Sequence, residues 1–309
     1  MDIKIEKLSK WYGSQQAVAE ISFEVRTGEI LGFLGPNGAG KTTTMKMITN
    51  YIGIDQGDIL IGGKSVKEHA DELKKHIGYL PENNPLYLDM AVMDYLEFCA
   101  SLQGVPKQSI QARVKEMVVL CGLDAEKHKN IGELSKGYKQ RVGLAQAMIH
   151  DPKILILDEP TTGLDPNQIV EIRNLIRRLG EEKTVILSTH ILPEVEATCD
   201  RILIIDNGKI VADGTSKTLR KQAQGNEVIQ VTIEEADIET IFKELSDLYT
   251  IASVDIKNRE TNQFLVESIA DMSSRKTIFQ LCVEKNWILT ELTPLETKLE
   301  DVFREVTMN

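Results

Sequence analysis

The stretch ILGFLGPNGAGKTTTMKMIT, residues Ile30–Thr49, decides the fold of this chain. It opens with a short apolar run, Ile30–Leu34, which predicts a buried parallel strand. The four fixed positions of the pattern G-x-x-x-x-G-K-[ST] follow at once and are filled by Gly35, Gly40, Lys41 and Thr42. A strand that leads through this pattern into a helix is the context that distinguishes a phosphate-binding loop from an ordinary turn.

Each residue type in the loop serves the binding of a polyphosphate. Glycines let the backbone approach phosphate oxygens, and the N-terminus of the following helix offers N–H groups to the same anion. We therefore expect the phosphates to be held by the consecutive residues Asn37, Gly38, Ala39, Gly40, Lys41, Thr42 and Thr43. Lys41 reaches the outer phosphates, and the Thr42 hydroxyl is a ligand of the kind that Mg²⁺ prefers. Kinases, GTPases and motor ATPases share this motif, so alone it indicates only phosphate binding.

A carboxylate pair forms the second motif, in KILILDEPTTGLD, residues 153–165. Ile154–Leu157 predicts another buried parallel strand, and Asp158 lies at its carboxyl end, where open α/β sheets bind ligands. Asp158 is expected to hold Mg²⁺ directly or through a water, and the adjacent Glu159 to polarise the attacking water. His190 ends a third apolar strand in VILSTH and is expected to contact the γ-phosphate or that water.

Composition limits the alternatives. The chain has 309 residues, 42% of them hydrophobic, and a net charge of −11, which favours two folded domains over disorder. From residue 226 onward there are 17 acidic and 8 basic residues, so the two parts of the chain differ in surface charge. An acidic balance disfavours a nucleic-acid partner. Four scattered cysteines form no C-x-x-C pair and fit a reducing, cytoplasmic location. No apolar run is long enough to span a membrane, and the N-terminus lacks a secretory signal.

Taken together, GPNGAGKTT, ELSKGYKQR, ILILDEP, GLD and STH resemble the nucleotide-binding domain of an ABC transporter over residues 1 to about 215. The resemblance implies a homodimer that sandwiches two ATP and two Mg²⁺ between its subunits. It implies that Ser135 and Gly137 reach the γ-phosphate bound by the partner subunit, and that Asp165 links the two ATP sites. It also implies that an aromatic residue stacks on adenine; Tyr12 matches that position, and Trp11 is an alternative.

Three positions depart from the pattern of the family. Lys136 replaces a glycine of the signature ELSKGYKQR, Tyr138 replaces a glutamine, and Glu82 stands where many relatives have a metal-sensing glutamine. A glutamate still offers an oxygen to a metal, so Glu82 remains a candidate ligand. The three residues resemble those of exporter-type ATPases whose permeases are separately encoded, and the chain is most similar there to the gliding-motility ATPase. Lys136 either adds charge at the partner's γ-phosphate or points into solvent.

The expected fold is an α/β P-loop core with an antiparallel β subdomain and a helical subdomain, followed by a small C-terminal domain. The core covers residues 1–215, a linker residues 216–226 and the C-terminal domain residues 227–309. After the linker, the strand and helix patterns run β-α-β-β-α-β, which predicts a ferredoxin-like α+β fold. A final amphipathic helix in LETKLEDVFREVT should carry an apolar face made of Leu295, Leu299, Val302, Phe303 and Val306.

The leading hypothesis is an ATP-hydrolysing subunit that drives an integral-membrane permease from the cytoplasmic face of the inner membrane. The resemblance implies that the transporter is an exporter. One alternative is a soluble ABC ATPase that acts on nucleic acid or ribosomes, although tandem ATPase domains and a coiled-coil insert are lacking. Another is a switch that binds nucleotide without hydrolysis, which the Asp158–Glu159 pair disfavours.

Overall fold

A computed structural model describes residues 1–223, 226–270, 272–295 and 298–307. Its contacts divide the chain into two compact units, one with residues 1–216 and the described residues from Glu305, the other with residues 217–304. The predicted linker 216–226 includes residues 224 and 225, and the predicted C-terminal domain includes residues 271, 296, 297, 308 and 309; these seven lie outside the described residues.

The strands of the first unit are β1 Ile3–Tyr12, β2 Gln15–Val25, β3 Ile30–Leu34, β4 Gln56–Ile61, β5 Lys64–Ser65, β6 Ile77–Leu80, β7 Ile154–Asp158, β8 Thr184–Thr189, β9 Arg201–Asp206 and β10 Lys209–Gly214. Its helices are α1 Lys41–Ile48, α2 Ala70–Lys74, α3 Val92–Leu102, α4 Ile110–Leu120, α5 Lys136–Met148, α6 Pro166–Gly180 and α7 Leu192–Thr198. Short 3₁₀ turns occupy Lys107–Ser109 and Ile131–Glu133.

A six-stranded sheet with the order β10-β9-β3-β8-β7-β6 forms the centre of this unit. The strands from β9 to β6 are parallel, and β10 pairs antiparallel with β9 at one edge. Every residue of β3 and β7 is buried. Both strands are apolar along their length because a parallel sheet that is covered on two faces needs apolar side chains on both.

Two layers cover the central sheet. Along β7, Leu155 and Leu157 face a core shared with α3, α4, α5 and α6, whereas Ile154 and Ile156 face a core shared with α1 and the second sheet. That second sheet is antiparallel, with the order β2-β1-β4-β5. The P-loop core therefore has the expected antiparallel and helical additions, one on each face of the parallel sheet.

The second unit begins in the helix α8 Ser216–Ala223 and contains β11 Val228–Glu234, α9 Ile238–Ser246, β12 Ile251–Asn258, β13 Gln263–Ser268, α10 Arg275–Lys285 and β14 Ile288–Leu295. Its antiparallel sheet has the order β12-β13-β11-β14. In this β-α-β-β-α-β sequence the first and third strands lie in the middle, which is a ferredoxin-like arrangement. Alternating residues of β11, namely Ile229, Val231 and Ile233, point into its core.

The last helix, α11 Leu299–Thr307, begins later than its sequence pattern predicts. Leu299 and Val302 are buried as expected, but Leu295 is the last residue of β14 and pairs with Val228 of β11. The prediction that Leu295 lies on the helix was wrong because strand pairing with β11 overrides the local helical spacing. None of the helices in the described ranges is both long and apolar enough to cross a membrane.

Candidate active site

A cavity of about 400 Å³ opens at the carboxyl ends of β3, β7 and β8. Most residues around it were singled out in the sequence, and two, Ala17 and Thr162, were not. The lining consists of Ala17, Asn37, Gly38, Gly40, Lys41, Thr42, Thr43, Glu82, Glu159, Thr162 and His190. The fold thus brings the phosphate-loop motif, the glutamate of the carboxylate pair and the histidine of the third strand to one edge of the sheet.

The phosphate loop owes its shape to its glycines. Gly38 and Gly40 have φ values of 81° and 105°, which L side chains rarely adopt. A methyl group at Gly40 would also lie 2.5 Å from the backbone oxygen of Ala17. Ala39 is buried in the core below the loop, so only its backbone remains for a ligand. Helix α1 starts at Lys41, and its first N–H groups are available to an anion at the cavity.

The Lys41 side chain is held by the backbone of the phosphate loop itself. It is 6% exposed, and its ammonium donates hydrogen bonds to the backbone oxygens of Gly35 at 2.8 Å and Pro36 at 3.1 Å. It also lies 3.6 Å from Oε1 of Glu159. The Lys41 ammonium and the N-terminus of helix α1 both carry positive charge, which attracts the negative charge of a triphosphate.

Asp158 is completely buried beside the phosphate loop. It pairs with Ser188 in the register of β7 and β8, and the Ser188 hydroxyl donates to its Oδ1. Its other oxygen, Oδ2, is buried without a hydrogen-bond partner among the described residues. Burial raises the pKa of this carboxyl, while the nearby hydroxyls of Ser188 and Thr42 oppose the shift. An oxygen left unsatisfied next to the Thr42 hydroxyl fits a hard divalent cation.

No group of three or more His, Cys, Asp or Glu side chains in the described part of the chain is arranged to hold a metal ion. A metal at Asp158 would therefore take most of its ligands from elsewhere, and phosphate oxygens are suited to that role because Mg²⁺ is usually bound by one or two carboxylates together with substrate phosphates. Glu82 lines the cavity and also an adjoining space of about 360 Å³ that it shares with Thr42 and Asp158. It is thus near enough to the carboxylate pair to remain a candidate ligand.

Glu159 has a left-handed backbone, with φ at 51°, and only 6% of the residue is exposed. Its N–H donates to the backbone oxygen of Ser188 at 3.0 Å, which fixes this conformation against β8. A non-glycine residue held in this region costs free energy, and such residues concentrate at functional sites. The carboxylate accepts a hydrogen bond from the Thr162 hydroxyl at 3.2 Å and lies 2.9 Å from Nδ1 of His190.

His190 lies at a turn that the sequence pattern alone did not explain. The hydroxyl of Thr189, just before it, donates to the buried carboxylate of Glu194 at 3.0 Å and accepts the N–H of Ile191 at 3.1 Å. Glu194 is 3% exposed and lies in the first turn of helix α7. The polar pair Thr189–Glu194 therefore holds both neighbours of His190 in place.

Besides the buried Ala39 and Asp158, four candidate residues do not line the cavity: Tyr12, Ser135, Gly137 and Asp165. Tyr12 ends β1 with half of its surface exposed. Ser135 is the N-cap of α5, where its hydroxyl accepts the N–H of Tyr138 at 3.4 Å. Asp165 is the N-cap of α6, and its carboxylate accepts the N–H of Gln168 at 2.9 Å.

Lys136 is exposed to solvent and does not line the cavity. Its side chain lies over Gly163, where an added methyl group would come within 2.0 Å of Nζ and 2.9 Å of Cε. Gly163 has φ at 73° and belongs to the turn between Glu159 and Asp165. The lysine that departs from the family signature therefore contacts the segment that follows the carboxylate pair in the same chain.

A phosphate loop after one strand of a parallel sheet, together with a buried aspartate at the end of another strand and a glutamate directly after it, defines a P-loop nucleoside triphosphatase. The ABC transporter family model matches residues 18–162. The ABC transporter ATP-binding protein YxlF of Bacillus subtilis is 35% identical over 98% of this chain and 99% of its own length. The Nod factor export ATP-binding protein I of Ralstonia nicotianae is 35% identical over 74% of this chain and 72% of its own length.

The solved structure of an ATP-binding subunit of an ABC transporter superposes with a TM-score of 0.65 at 30% identity, covering 72% of this chain and 93% of that one. This chain belongs to the ATP-binding proteins of the ABC transporter family. It is accordingly an ATP-binding subunit whose ATP hydrolysis is coupled to transport.

Proposed function

We propose that this chain drives an exporter by closing as a homodimer around two ATP molecules, with Mg²⁺ at each site. The observation that carries the proposal is the placement of the Glu159 carboxylate on the cavity between Lys41 and His190. A carboxylate there is positioned to orient and deprotonate a water, while a phosphate loop holds the triphosphate below it. The export-related relative supports the direction of transport.

In this proposal, the residues that line the cavity bind one ATP and the capped turns of α5 and α6 complete the site of the other subunit. Lys41 and the loop backbone bind phosphate oxygens, and Thr42, Asp158 and Glu82 hold Mg²⁺. The metal neutralises charge on the phosphates when it is bound. Glu159 accepts a proton from the attacking water, and His190 holds that carboxylate in place. Ser135, Gly137 and Asp165 act at the partner's nucleotide, and Tyr12 stacks on adenine.

The proposed partner in the membrane is a separately encoded integral-membrane permease. This subunit would then work at the cytoplasmic face of the inner membrane, without a nucleic-acid partner. An apolar and aromatic surface on the helical layer is available for docking, since Tyr87, Leu88 and Phe98 are more than one-third exposed. Within the chain we propose an ATP-binding domain of residues 1–215, a linker 216–226 and an accessory domain 227–309.

The proposal is tested with Glu159→Gln, which keeps the shape of the side chain and removes the base. We expect this variant to bind ATP, to lose about 10²-fold or more of its hydrolysis rate, and to accumulate as an ATP-bound dimer. Light scattering after size exclusion, with and without ATP, measures the dimer, and phosphate release measures turnover. Glu181→Gln, an exposed carboxylate outside the cavity, is the matched control.

Hydrolysis at the parental rate by Glu159→Gln would overturn the assignment of the base. Affinity purification from detergent-solubilised membranes tests the partner separately. A multi-span membrane protein should copurify with the tagged subunit, whereas recovery of ribosomes or nucleic acid alone would favour the alternative function.

A further inference from the structure

The N-termini of helices α5 and α6 lie side by side, and the side chain of Gln168 contacts both of them. A methyl group built on Gly137 would lie 2.5 Å from Cδ of Gln168 and 2.6 Å from each of its amide oxygen and nitrogen atoms. The Gln168 amide group therefore lies directly against Gly137. Only a residue without a side chain at position 137 leaves room for it, so Gly137 has a packing requirement within its own subunit.

The same Gln168 also closes the cap of α6. Its Oε1 accepts the N–H of Asp165 at 3.3 Å, and its own N–H donates to Oδ1 of Asp165 at 2.9 Å. This reciprocal arrangement is a capping box, which satisfies two N–H groups at the start of a helix. Leu164 packs against the core on one side of Asp165, whereas Asp165 itself is exposed. The capping box fixes the backbone of Asp165 at the start of α6.

Two further contacts join the same helices. Lys136, the residue before Gly137, lies over Gly163 of the turn that precedes α6. One helical turn further along, Arg141 of α5 pairs with Glu171 of α6. The beginnings of the two helices are thus held together at successive points, and Gln168 lies at the middle one.

We propose that Gln168 is a positioning residue that locks the Asp165 turn to Gly137, so that one subunit presents both to its partner's nucleotide as a single rigid face. The functional consequence rests on the proposed homodimer. The structural part concerns one subunit alone, because every contact that carries it lies within a single chain. Gln168 acts through Asp165 and Gly137 and does not touch the reacting atoms.

The structural part is tested by amide hydrogen exchange of residues 163–170 in the nucleotide-free protein. Gln168→Ala removes the capping box, and we expect these amides to exchange about fivefold faster, in line with the loss of a helix cap. Gly137→Ala should have the same effect because its methyl group displaces the Gln168 amide. Gln168→Glu, which can rebuild the capping box, should restore slow exchange. Asn167→Ala, at the next exposed position of α6, should not change it.

A double variant distinguishes coupling from two independent lesions. When position 168 is already alanine, Gly137→Ala should add no further acceleration of exchange, since the displaced group is gone. Parental exchange in Gln168→Ala, or full additivity of the two changes, would overturn the proposal. These outcomes do not depend on dimerisation.

The effect of Gln168 on dimerisation is tested in proteins that also carry Glu159→Gln. Gln168→Ala should leave the ATP affinity of the single subunit unchanged and weaken ATP-dependent dimerisation about fivefold or more, with recovery in Gln168→Glu. An equal loss of ATP affinity and thermal stability would instead indicate a merely structural role. If the Glu159→Gln parent itself fails to dimerise with ATP, the proposed function fails, and the exchange experiment still decides the role of Gln168.

Discussion

Lys41 and Glu159 form a buried ion pair, in which the ammonium Nζ lies 3.6 Å from Oε1 of the carboxylate. The cation expected to bind phosphates and the carboxylate expected to activate water thus lie within ion-pair distance of each other. His190 approaches the other oxygen of Glu159 at 2.9 Å. We expect the phosphates of ATP to compete with Glu159 for Lys41, and the contact with His190 to hold the Glu159 carboxylate in place.

A double-mutant cycle with Lys41→Met and Glu159→Gln should show that this pair is coupled without nucleotide. Removing only Lys41 leaves Glu159 buried without its cation, so we expect a coupling free energy of about 1–3 kcal/mol in chemical unfolding. The exposed pair Lys4–Glu6, with both side chains nearly half exposed, should show a much smaller coupling in the same assay because solvent screens it. Equal coupling free energies in the two pairs would contradict the conclusion that burial strengthens the interaction of Lys41 with Glu159.

His190→Ala should lower kcat for ATP hydrolysis about 10²-fold and change KM much less. The reason is that His190 contacts the Glu159 carboxylate, whereas the phosphate loop supplies the binding of ATP. Steady-state kinetics at saturating Mg²⁺ measure both constants. His128→Ala, an exposed histidine outside the cavity, should behave as the parent. A rise in KM at unchanged kcat would instead place His190 in ground-state binding.

Glu194→Ala should impair catalysis at a distance from the nucleotide. The Thr189 hydroxyl loses its acceptor, so the turn that carries His190 is held less firmly, and we expect kcat to fall roughly tenfold, the cost of about one charge-assisted hydrogen bond. Glu194→Gln retains an acceptor for Thr189 and should recover most of the rate. If both variants lose the same activity while their melting temperatures equal that of the parent, the hydrogen bond to Thr189 is not the cause.

Asp158→Asn should abolish hydrolysis and yet stabilise the nucleotide-free protein at neutral pH. Burial raises the pKa of Asp158 above its ordinary value of 3.8. Between these two pKa values the folded state binds more protons than the unfolded state, so the stability falls as the pH rises through that window. Removing the charge should increase Tm by a few degrees at pH 7, and the gain should disappear as the pH falls toward 4. A lower Tm at pH 7 would contradict the conclusion that the buried charge of Asp158 destabilises the folded state.

The sequence predicts the central sheet and the catalytic edge well because these depend on local patterns. Strands buried on both faces require continuous apolar runs, and both Ile30–Leu34 and Ile154–Leu157 were recognisable for that reason. The phosphate-loop motif after Ile30–Leu34 and the polar Asp158 after Ile154–Leu157 then indicate the edge of the sheet where a ligand is expected. The fold of the C-terminal domain was predictable for a similar reason, because its strands alternate apolar and polar residues against one core.

Contacts between elements that are distant in sequence were not predictable from those patterns. Gln168 lies 31 positions from Gly137, and only the packing of α5 against α6 shows that its amide covers the glycine. Lys136 was expected at the partner's phosphate or in solvent; the residue is exposed, and the contact of its side chain with Gly163 was not foreseen. Glu194 could not be separated from any other acidic residue in a first helical turn until its burial against Thr189 was known.

The contact between Gln168 and Gly137 has a consequence for genetic complementation in the proposed dimer. Ser135, Gly137 and Asp165 belong to one face of a subunit, and Lys41 belongs to the cradle of the opposite site. A mixed dimer of a Lys41 variant and a Ser135 variant concentrates both lesions in one site and keeps the other site complete. A mixed dimer of a Ser135 variant and an Asp165 variant has one lesion in each site and cannot complement. Complementation therefore distinguishes variants of the phosphate loop, such as those of Lys41, from variants of the face that contains Ser135, Gly137 and Asp165.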